Sequence, residues 1–303
     1  MRLILVPLDG SLFAERALPV ALDLCARHHA RLILVAVHEP TLPTYVGHGA
    51  LAMDQRYETG LRDGLARYLD VTAASIRADD ATIDVEVNLL VGSPVPSIDD
   101  YARQHGAELI VMTSHGRGGP ARWMMGSVAD GLVRRLHTPV LVVRVDEQST
   151  TSVPMPFQQV LIALDGTEES ESAIASAASM VCNERASFTL LYVSPPLHPL
   201  LRAMANPEEL QVDIAEQQAA ARAYLADAAA RASALGAFHT AITVDMHPAE
   251  GIVDFANDNR IDLIVLSTHG RGPIGRTLLG SVADKVVRIA RNPVLLCYAP
   301  RRE

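Results

Sequence analysis

Two glycine-rich segments carry the residues whose types and spacing could bind an anion. The first, Thr113-Ser114-His115-Gly116-Arg117-Gly118, runs on to Gly126-Ser127-Val128-Ala129-Asp130. The second, Ser267-Thr268-His269-Gly270-Arg271-Gly272, runs on to Gly280-Ser281-Val282-Ala283-Asp284, at an offset of 154 residues. Each Gly-Ser pair stands immediately before a stretch with helical apolar spacing. A helix start exposes unpaired N–H groups and the positive end of the macrodipole, and glycine lets phosphate oxygens approach the main chain. Each such charge-assisted hydrogen bond is worth about 1.5–3 kcal/mol, and the dipole adds about 0.3–1 kcal/mol. Three or four bonds would hold a polyphosphate even in a chain of net charge -9, because the donors are fixed dipoles at short range.

Each of these residues also has a purely structural reading. Ser127 to Asp130 and Ser281 to Asp284 satisfy the capping-box pattern, and a serine that caps its own helix needs no ligand. Asp9 and Asp165 end the first apolar run of each half. They read either as Asp-Gly turns that start a helix, or as acids facing the glycine loop across a crevice, where they would accept hydrogen bonds from a base or sugar. His115 and His269 either donate to a phosphate or hold the loop. Arg117, Arg122, Arg271 and Arg276 pair with phosphates or are solvated, and Arg134, Arg135, Arg288 and Arg291 read as solvated helix faces. No aromatic residues interleave Arg134 and Arg135 or Arg288 and Arg291 as single-strand nucleic-acid binding would want.

The elements that position these residues alternate strictly. In the first half, apolar runs at Leu3 to Leu8 and Leu32 to Val37 read as strands, with a helix from about Phe13 to Arg27 between them. A loop with proline and glycine follows from Pro40 to Gly49, then a helix marked by Tyr57, Leu61, Leu65, Tyr68 and Ile76. Ile83, Val85 and Val87 mark a third strand, Pro94 starts a third helix, Leu109 to Met112 is a fourth strand, Gly126 to Leu136 a fourth helix and Pro139 to Val143 a fifth strand. The second half places strands at Val160 to Leu164, Phe188 to Val193, Ala241 to Val244, Leu263 to Leu266 and Val294 to Tyr298. This alternation implies parallel strands joined by right-handed crossovers, hence two tandem doubly wound α/β domains, 1–146 and 158–303, with the linker in Asp146 to Pro156. Across the ungapped pair Thr113 to Arg144 and Ser267 to Tyr298, 15 of 32 positions are identical, polar residues among them, which marks an internal repeat.

Composition narrows the classes of function. With 26 basic and 35 acidic side chains, general attraction to nucleic acid or to an anionic membrane surface is not expected. Cys25, Cys182 and Cys297 lack CxxC spacing, so neither a disulfide framework nor a zinc site is indicated, and a reducing cytoplasm is the expected location. The N-terminal apolar run meets Asp9 too soon for a signal peptide, and no run of 18 apolar residues offers a membrane span.

With these motifs, nearly the whole chain resembles a universal stress protein of the tandem, two-domain kind. That family's ATP-binding signature is Gly, two residues, Gly, nine residues, then Gly followed by Ser or Thr. Gly116 with Gly126-Ser127 and Gly270 with Gly280-Ser281 match its second and third glycines, while Thr113 and Ser267 stand at the first. The resemblance implies an adenine side of Pro7, Asp9, Val37 and Met112 and a phosphate side of His115, Gly116, Gly126, Ser127 and Val128. In the second copy it implies Asp165, Val193, Leu266, His269, Gly270, Gly280, Ser281 and Val282, with Ala163 replacing the proline and Met246 standing where the first copy has Gly92. It further implies a five-stranded sheet of order 3-2-1-4-5 in each half, ATP as ligand, with or without magnesium, an internal pseudo-dimer through the last strands, and association of two chains as an option the sequence leaves open.

Three functions compete. The first is an ATP-dependent regulator of stress or dormancy with at most slow hydrolysis, since no GxxxxGK[ST] is present and the only lysine, Lys285, lies beyond the second glycine loop. The second is a scaffold that has lost its nucleotide. The third is a dinucleotide-dependent enzyme, suggested by Gly270-Arg271-Gly272-Pro273-Ile274-Gly275. That motif follows a fourth strand rather than a first, and no acid ends the next strand.

Overall fold

Leu3, Ile4, Leu5 and Val6 are all buried because the strand they form, β1 (Leu3–Pro7), is paired along both edges. This computed structural model describes residues 1–40, 45–46, 49–50, 55–114, 125–135, 137–144, 155–196, 204, 206–244, 246–268 and 279–297. The chain divides into two units, Met1–Val153 and Pro154–Glu303.

In the first unit, β1 leads into α1 (Leu12–Glu15) and α2 (Leu18–His28). The single helix expected from Phe13 to Arg27 is thus two. Pro19 has no amide hydrogen for the Glu15 carbonyl and its ring crowds that oxygen, so the chain restarts with proline in the first turn of α2. Strand β2 (Arg31–His38) follows, then a short antiparallel pair, β3 (Tyr45–Val46) and β4 (Gly49–Ala50), inside the expected loop. The unit continues with α3 (Gln55–Asp79), β5 (Val85–Val91), α4 (Pro94–Gln104), β6 (Leu109–Thr113), α5 (Ser127–Arg135) and β7 (Val140–Val143). All main pairings are parallel: β1 with β2, β1 with β6, β2 with β5, and β6 with β7. The sheet order β5-β2-β1-β6-β7 is the expected 3-2-1-4-5.

The second unit repeats this plan with β8 (Gln159–Leu164), α6 (Glu168–Val181), β9 (Ser187–Val193), α7 (Pro207–Ala232), a 3-10 turn at Ser233–Leu235, β10 (Phe238–Thr243), α8 (Pro248–Asp258), β11 (Leu263–Ser267), α9 (Ser281–Ile289) and β12 (Val294–Cys297). Its order is β10-β9-β8-β11-β12, again all parallel. Strand β10 starts at Phe238, ahead of the expected Ala241. It lies at the edge of this unit's sheet, and its exposed His239 and Thr240 carry no apolar signal, yet Phe238 to Thr243 pair residue for residue with Phe188 to Val193.

The cores are aliphatic. Leu5, Leu34 and Leu161 are 0% exposed, and burying each such side chain contributes about 1.5–3 kcal/mol. Cys25 and Cys297 are buried as well, and desolvation pushes both thiols up to about 12, whereas Cys182 is exposed. Titration with a thiol reagent is therefore expected to label one cysteine rapidly in the native protein and all three after denaturation; fast labelling of two or three without denaturant contradicts this packing. Among the described residues, no helix is long and apolar enough to cross a membrane.

Candidate functional site

The winding of each sheet reverses between its first and fourth main strands. Leu5 lies beside Ile110 where β1 meets β6, and Val160 beside Leu263 where β8 meets β11. Connections leave these neighbours on opposite faces, and a crevice opens beyond their carboxyl ends. The sequence places Asp9 and Asp165 on one side of that crevice and the glycine-started helices on the other.

The helix side is built alike in both units. The Gly126 N–H donates to the Ser114 carbonyl at 2.7 Å, and the Gly280 N–H donates to the Thr268 carbonyl at 2.9 Å, so each helix start is tied to the tip of the fourth strand. That tip is held in turn, because the Ser114 N–H donates to the Val143 carbonyl at 3.2 Å and the Thr268 N–H to the Cys297 carbonyl at 3.0 Å. The Asp130 and Asp284 amides donate to the Gly126 and Gly280 carbonyls, each at 2.9 Å, and open helices α5 and α9. Gly280 is the N-cap of α9, with φ -58 and ψ 143, and supplies no side chain to cap it. A Cβ on Gly280 would stand 3.1 Å from the Thr268 carbonyl oxygen, a tight contact that favours glycine where the helix start meets the strand tip.

This geometry corrects the capping-box reading. Ser127 and Ser281 are the first residues of their helices rather than caps, and both are exposed. Arg134 Nε donates to Asp130 Oδ2 at 2.8 Å and Arg288 Nε to Asp284 Oδ2 at 3.0 Å, so these two arginines, expected as solvated, are paired on their own helices. Val128 and Val282 are half-buried in the same first turns.

On the other side, the carboxylates sit in matching turns. Asp9 Oδ1 accepts from the Ser11 N–H at 2.9 Å and the Ser11 hydroxyl at 2.6 Å; Asp165 Oδ1 accepts from the Thr167 N–H at 3.1 Å and the Thr167 hydroxyl at 2.6 Å. Ser11 and Thr167 then cap α1 and α6 by accepting from Ala14 and Ser170 amides, both at 3.2 Å. Gly10 and Gly166 take φ of 80 and 88, a left-handed bend that favours glycine, and aim both turns the same way. The Asp-Gly-turn reading is thus correct for one carboxylate oxygen, and both acids stay half-buried at the crevice.

The remaining expected positions are distributed as follows. Pro7 and Val37 are half-buried near the ends of β1 and β2, Met112 and Thr113 are buried at the end of β6, and Leu266 is buried beside half-buried Ser267 at the end of β11. Val193 packs toward α8, where a Cβ on Gly251 would meet it at 2.8 Å, and Met246 Cβ lies 3.4 Å from that same point. Gly92 and Met246 occupy like turns, donating to the His38 carbonyl at 3.0 Å and the Ser194 carbonyl at 3.4 Å. His115, Gly116, His269 and Gly270, with Arg117, Arg122, Arg271 and Arg276, lie outside the described residues.

Sequence reasoning passed over several supports. Ser114 and Thr268, which accept from the glycines, stood inside the quoted repeats without an assigned role. Tyr68 donates to Glu15 Oε1 at 3.0 Å behind the Asp9 turn, and burial followed by that hydrogen bond pushes its phenol up. The equivalent Tyr224 phenol is pushed up to about 12, chiefly by burial. Beside Val37, buried His38 Nε2 lies 2.9 Å from Glu58 Oε2. No short motif announces these pairs, because their partners are far apart in the chain.

Lys285 on α9 hydrogen-bonds Glu250 on α8, which is the first cause holding that carboxyl below its ordinary 4.5. A depressed acid contributes stability above its ordinary value and loses it as pH falls through the folded one. In Lys285→Met the Glu250 carboxyl is expected to rise toward 4.5 when followed by NMR titration; an unmoved titration contradicts the pairing.

Two doubly wound units with a glycine-started helix at each switch point define a protein of the doubly wound α/β class. A model of the universal stress protein family matches residues 1–144 and 156–297, and the chain belongs to that family. Universal stress protein Rv2623 of Mycobacterium tuberculosis is 28% identical over 305 residues, covering 97% of this chain and 95% of its own. Universal stress protein Rv2005c of the same organism is 29% identical over 222 residues, 72% of this chain and 70% of its own. The crystal structure of a universal stress protein from Archaeoglobus fulgidus superposes with a TM-score of 0.66 over 99% of this chain and 97% of its own, at 21% identity, a likeness of fold.

Proposed function

We propose that the chain binds ATP, as its magnesium complex, in each unit and serves as a nucleotide-dependent regulator in stress or dormancy. The reading rests above all on one duplicated feature: a helix that starts on glycine, carries no side-chain cap where Gly280 opens it, and is tied to the tip of the fourth strand. Amides left open at a helix start favour an anion, and the residues present fit a phosphate chain. The Ser127 and Val128 amides, with Ser281 and Val282 in the second unit, hold the phosphates. His115, Gly116, His269 and Gly270 join them by the family resemblance. Asp9 and Asp165 face the base or sugar, and Val37 with Met112, and Val193 with Leu266, flank the base. Magnesium supplies charge neutralisation to the phosphate oxygens.

Regulation is favoured over rapid phosphoryl transfer by the placement of the only lysine. Lys285 is engaged with Glu250 on the neighbouring helix rather than held over the helix start. Occupancy acts on packing instead, since ligand bound to the folded state stabilises it by RT ln(1 + [L]/Kd). Mass spectrometry of nucleotide released by heating freshly purified protein tests the reading: an adenine nucleotide is expected, and protein that neither carries one nor takes one up from excess Mg-ATP contradicts it.

A further inference from the structure

The outer edge of the second unit's sheet differs from that of the first. Strand β10 is last in its order, and among the described residues its one ladder partner is β9. A strand edge in that position offers backbone N–H and C=O groups to any extended segment, so folded proteins usually guard it with charge, proline or a bulge. β10 has no such guard. From Leu235 to Val244 the chain contains no Lys, Arg, Asp, Glu or Pro, and β10 runs beside β9 residue for residue without a bulge. In the first unit the edge strand β5 carries Glu86, paired with Arg31 of β2 at 3.3 Å. His239 and Thr240 are exposed in the middle of β10, and the apolar residues that flank it, Leu235 and Val244, are 49% and 41% exposed.

The sequence of this edge fits a second copy of itself. A twofold axis normal to the sheet keeps each face on its own side, so opposed residues share a face and the axis passes through one residue. An axis at Thr240 sets Thr240 against its counterpart, Phe238 against Ile242 and His239 against Ala241. Threonine on threonine and aromatic on β-branched are pairs that stabilise antiparallel ladders. In the same register Val244 lies opposite Gly236, which has no side chain to obstruct it, and no two acids meet, although the chain carries a net charge of -9.

We infer that β10 is a self-docking strand, through which two copies of this chain pair antiparallel about Thr240 and extend the second unit's sheet. The contact is isologous, so it closes at two copies. It uses neither the last strand, β12, at the far end of this unit's order, nor any residue assigned to the nucleotide, and it stands independently of the nucleotide reading.

The test is sedimentation of the full-length chain over a concentration series, with circular dichroism to establish folding. The wild-type chain is expected to pass from monomer to dimer as its concentration rises. Thr240→Lys, which sets two ammonium groups face to face at the axis, abolishes the dimer. Val91→Lys, at the exposed end of β5, leaves it unchanged. A cross-link reads the register separately, because opposed Cα atoms in an antiparallel pair lie about 4.5–5.5 Å apart, within disulfide reach. Thr240→Cys in a Cys182→Ser background, where the two remaining native cysteines are buried, forms a covalent dimer with oxidised glutathione, and dithiothreitol reverses it. A wild-type chain that stays monomeric throughout, a dimer that survives Thr240→Lys or is lost in Val91→Lys, or a Thr240→Cys chain that does not cross-link overturns the inference. Should Thr240→Lys fail to fold, the wild-type series and the cross-link decide it.

Discussion

Replacing Gly280 with Asp weakens nucleotide binding in the second unit by about a hundredfold or more, and Gly126→Asp does the same in the first. The added Cβ meets the Thr268 carbonyl at 3.1 Å, so the strand tip must give by a few tenths of an ångström. The new carboxylate then occupies the end of the helix that favours anions, competing with phosphate for the same amides. Losing two charge-assisted hydrogen bonds of about 1.5–3 kcal/mol each accounts for at least that factor. Gly280→Ala, which adds the Cβ without the charge, falls between wild type and Gly280→Asp. Calorimetry on each variant, with circular dichroism to establish folding, checks the series. Full affinity in a folded Gly280→Asp chain would show that the helix start does not hold the ligand.

Leu5→Ala destabilises the first unit by about 2–5 kcal/mol, the cost of removing a fully buried leucine and leaving a cavity. Leu5 lies in the central strand, between β2 and β6, where it is paired with Ile33 and Ile110. Neighbours held on both sides cannot collapse into the space. Leu12, close by in sequence but 77% exposed on α1, serves as the control, and Leu12→Ala changes stability by no more than about 0.5 kcal/mol. Urea unfolding measures both. Equal effects from the two substitutions would mean that β1 is not the central strand.

The contrast between Leu5 and Leu12 also shows what the sequence exposes. The alternation of apolar runs with helical spacing was enough for two doubly wound units, since central strands are buried on both faces and read as unbroken Val, Ile and Leu. The strand order came from the family resemblance, and the β1–β2, β1–β6 and β6–β7 pairings realise it. Where the reading slipped, a local force had outweighed composition. Pro19 divided a helix that apolar spacing alone made continuous. At β10, ladder pairing with β9 recruited His239 and Thr240, which no strand pattern marks.

At the site the legible part was what repeats. Asp-Gly-Ser and Asp-Gly-Thr, and the two Gly-Ser pairs, carry their geometry in adjacent residues. The capping box misled because Ser and Asp at the right spacing are necessary for it but not sufficient. Gly280 holds the cap position beside Thr268, and Asp284 is paired with Arg288 on its own helix. Tyr68 with Glu15 and His38 with Glu58 were invisible for a different reason: each pair is made by the fold, across elements that the sequence separates.

The most direct test of the central claim is a calorimetric titration of the nucleotide-stripped, full-length chain with Mg-ATP, repeated on the Gly126→Asp/Gly280→Asp double variant. Saturable binding by the wild-type chain that disappears in the folded double variant is the predicted result. No heat at millimolar Mg-ATP, or binding that the double variant retains unchanged, would contradict it.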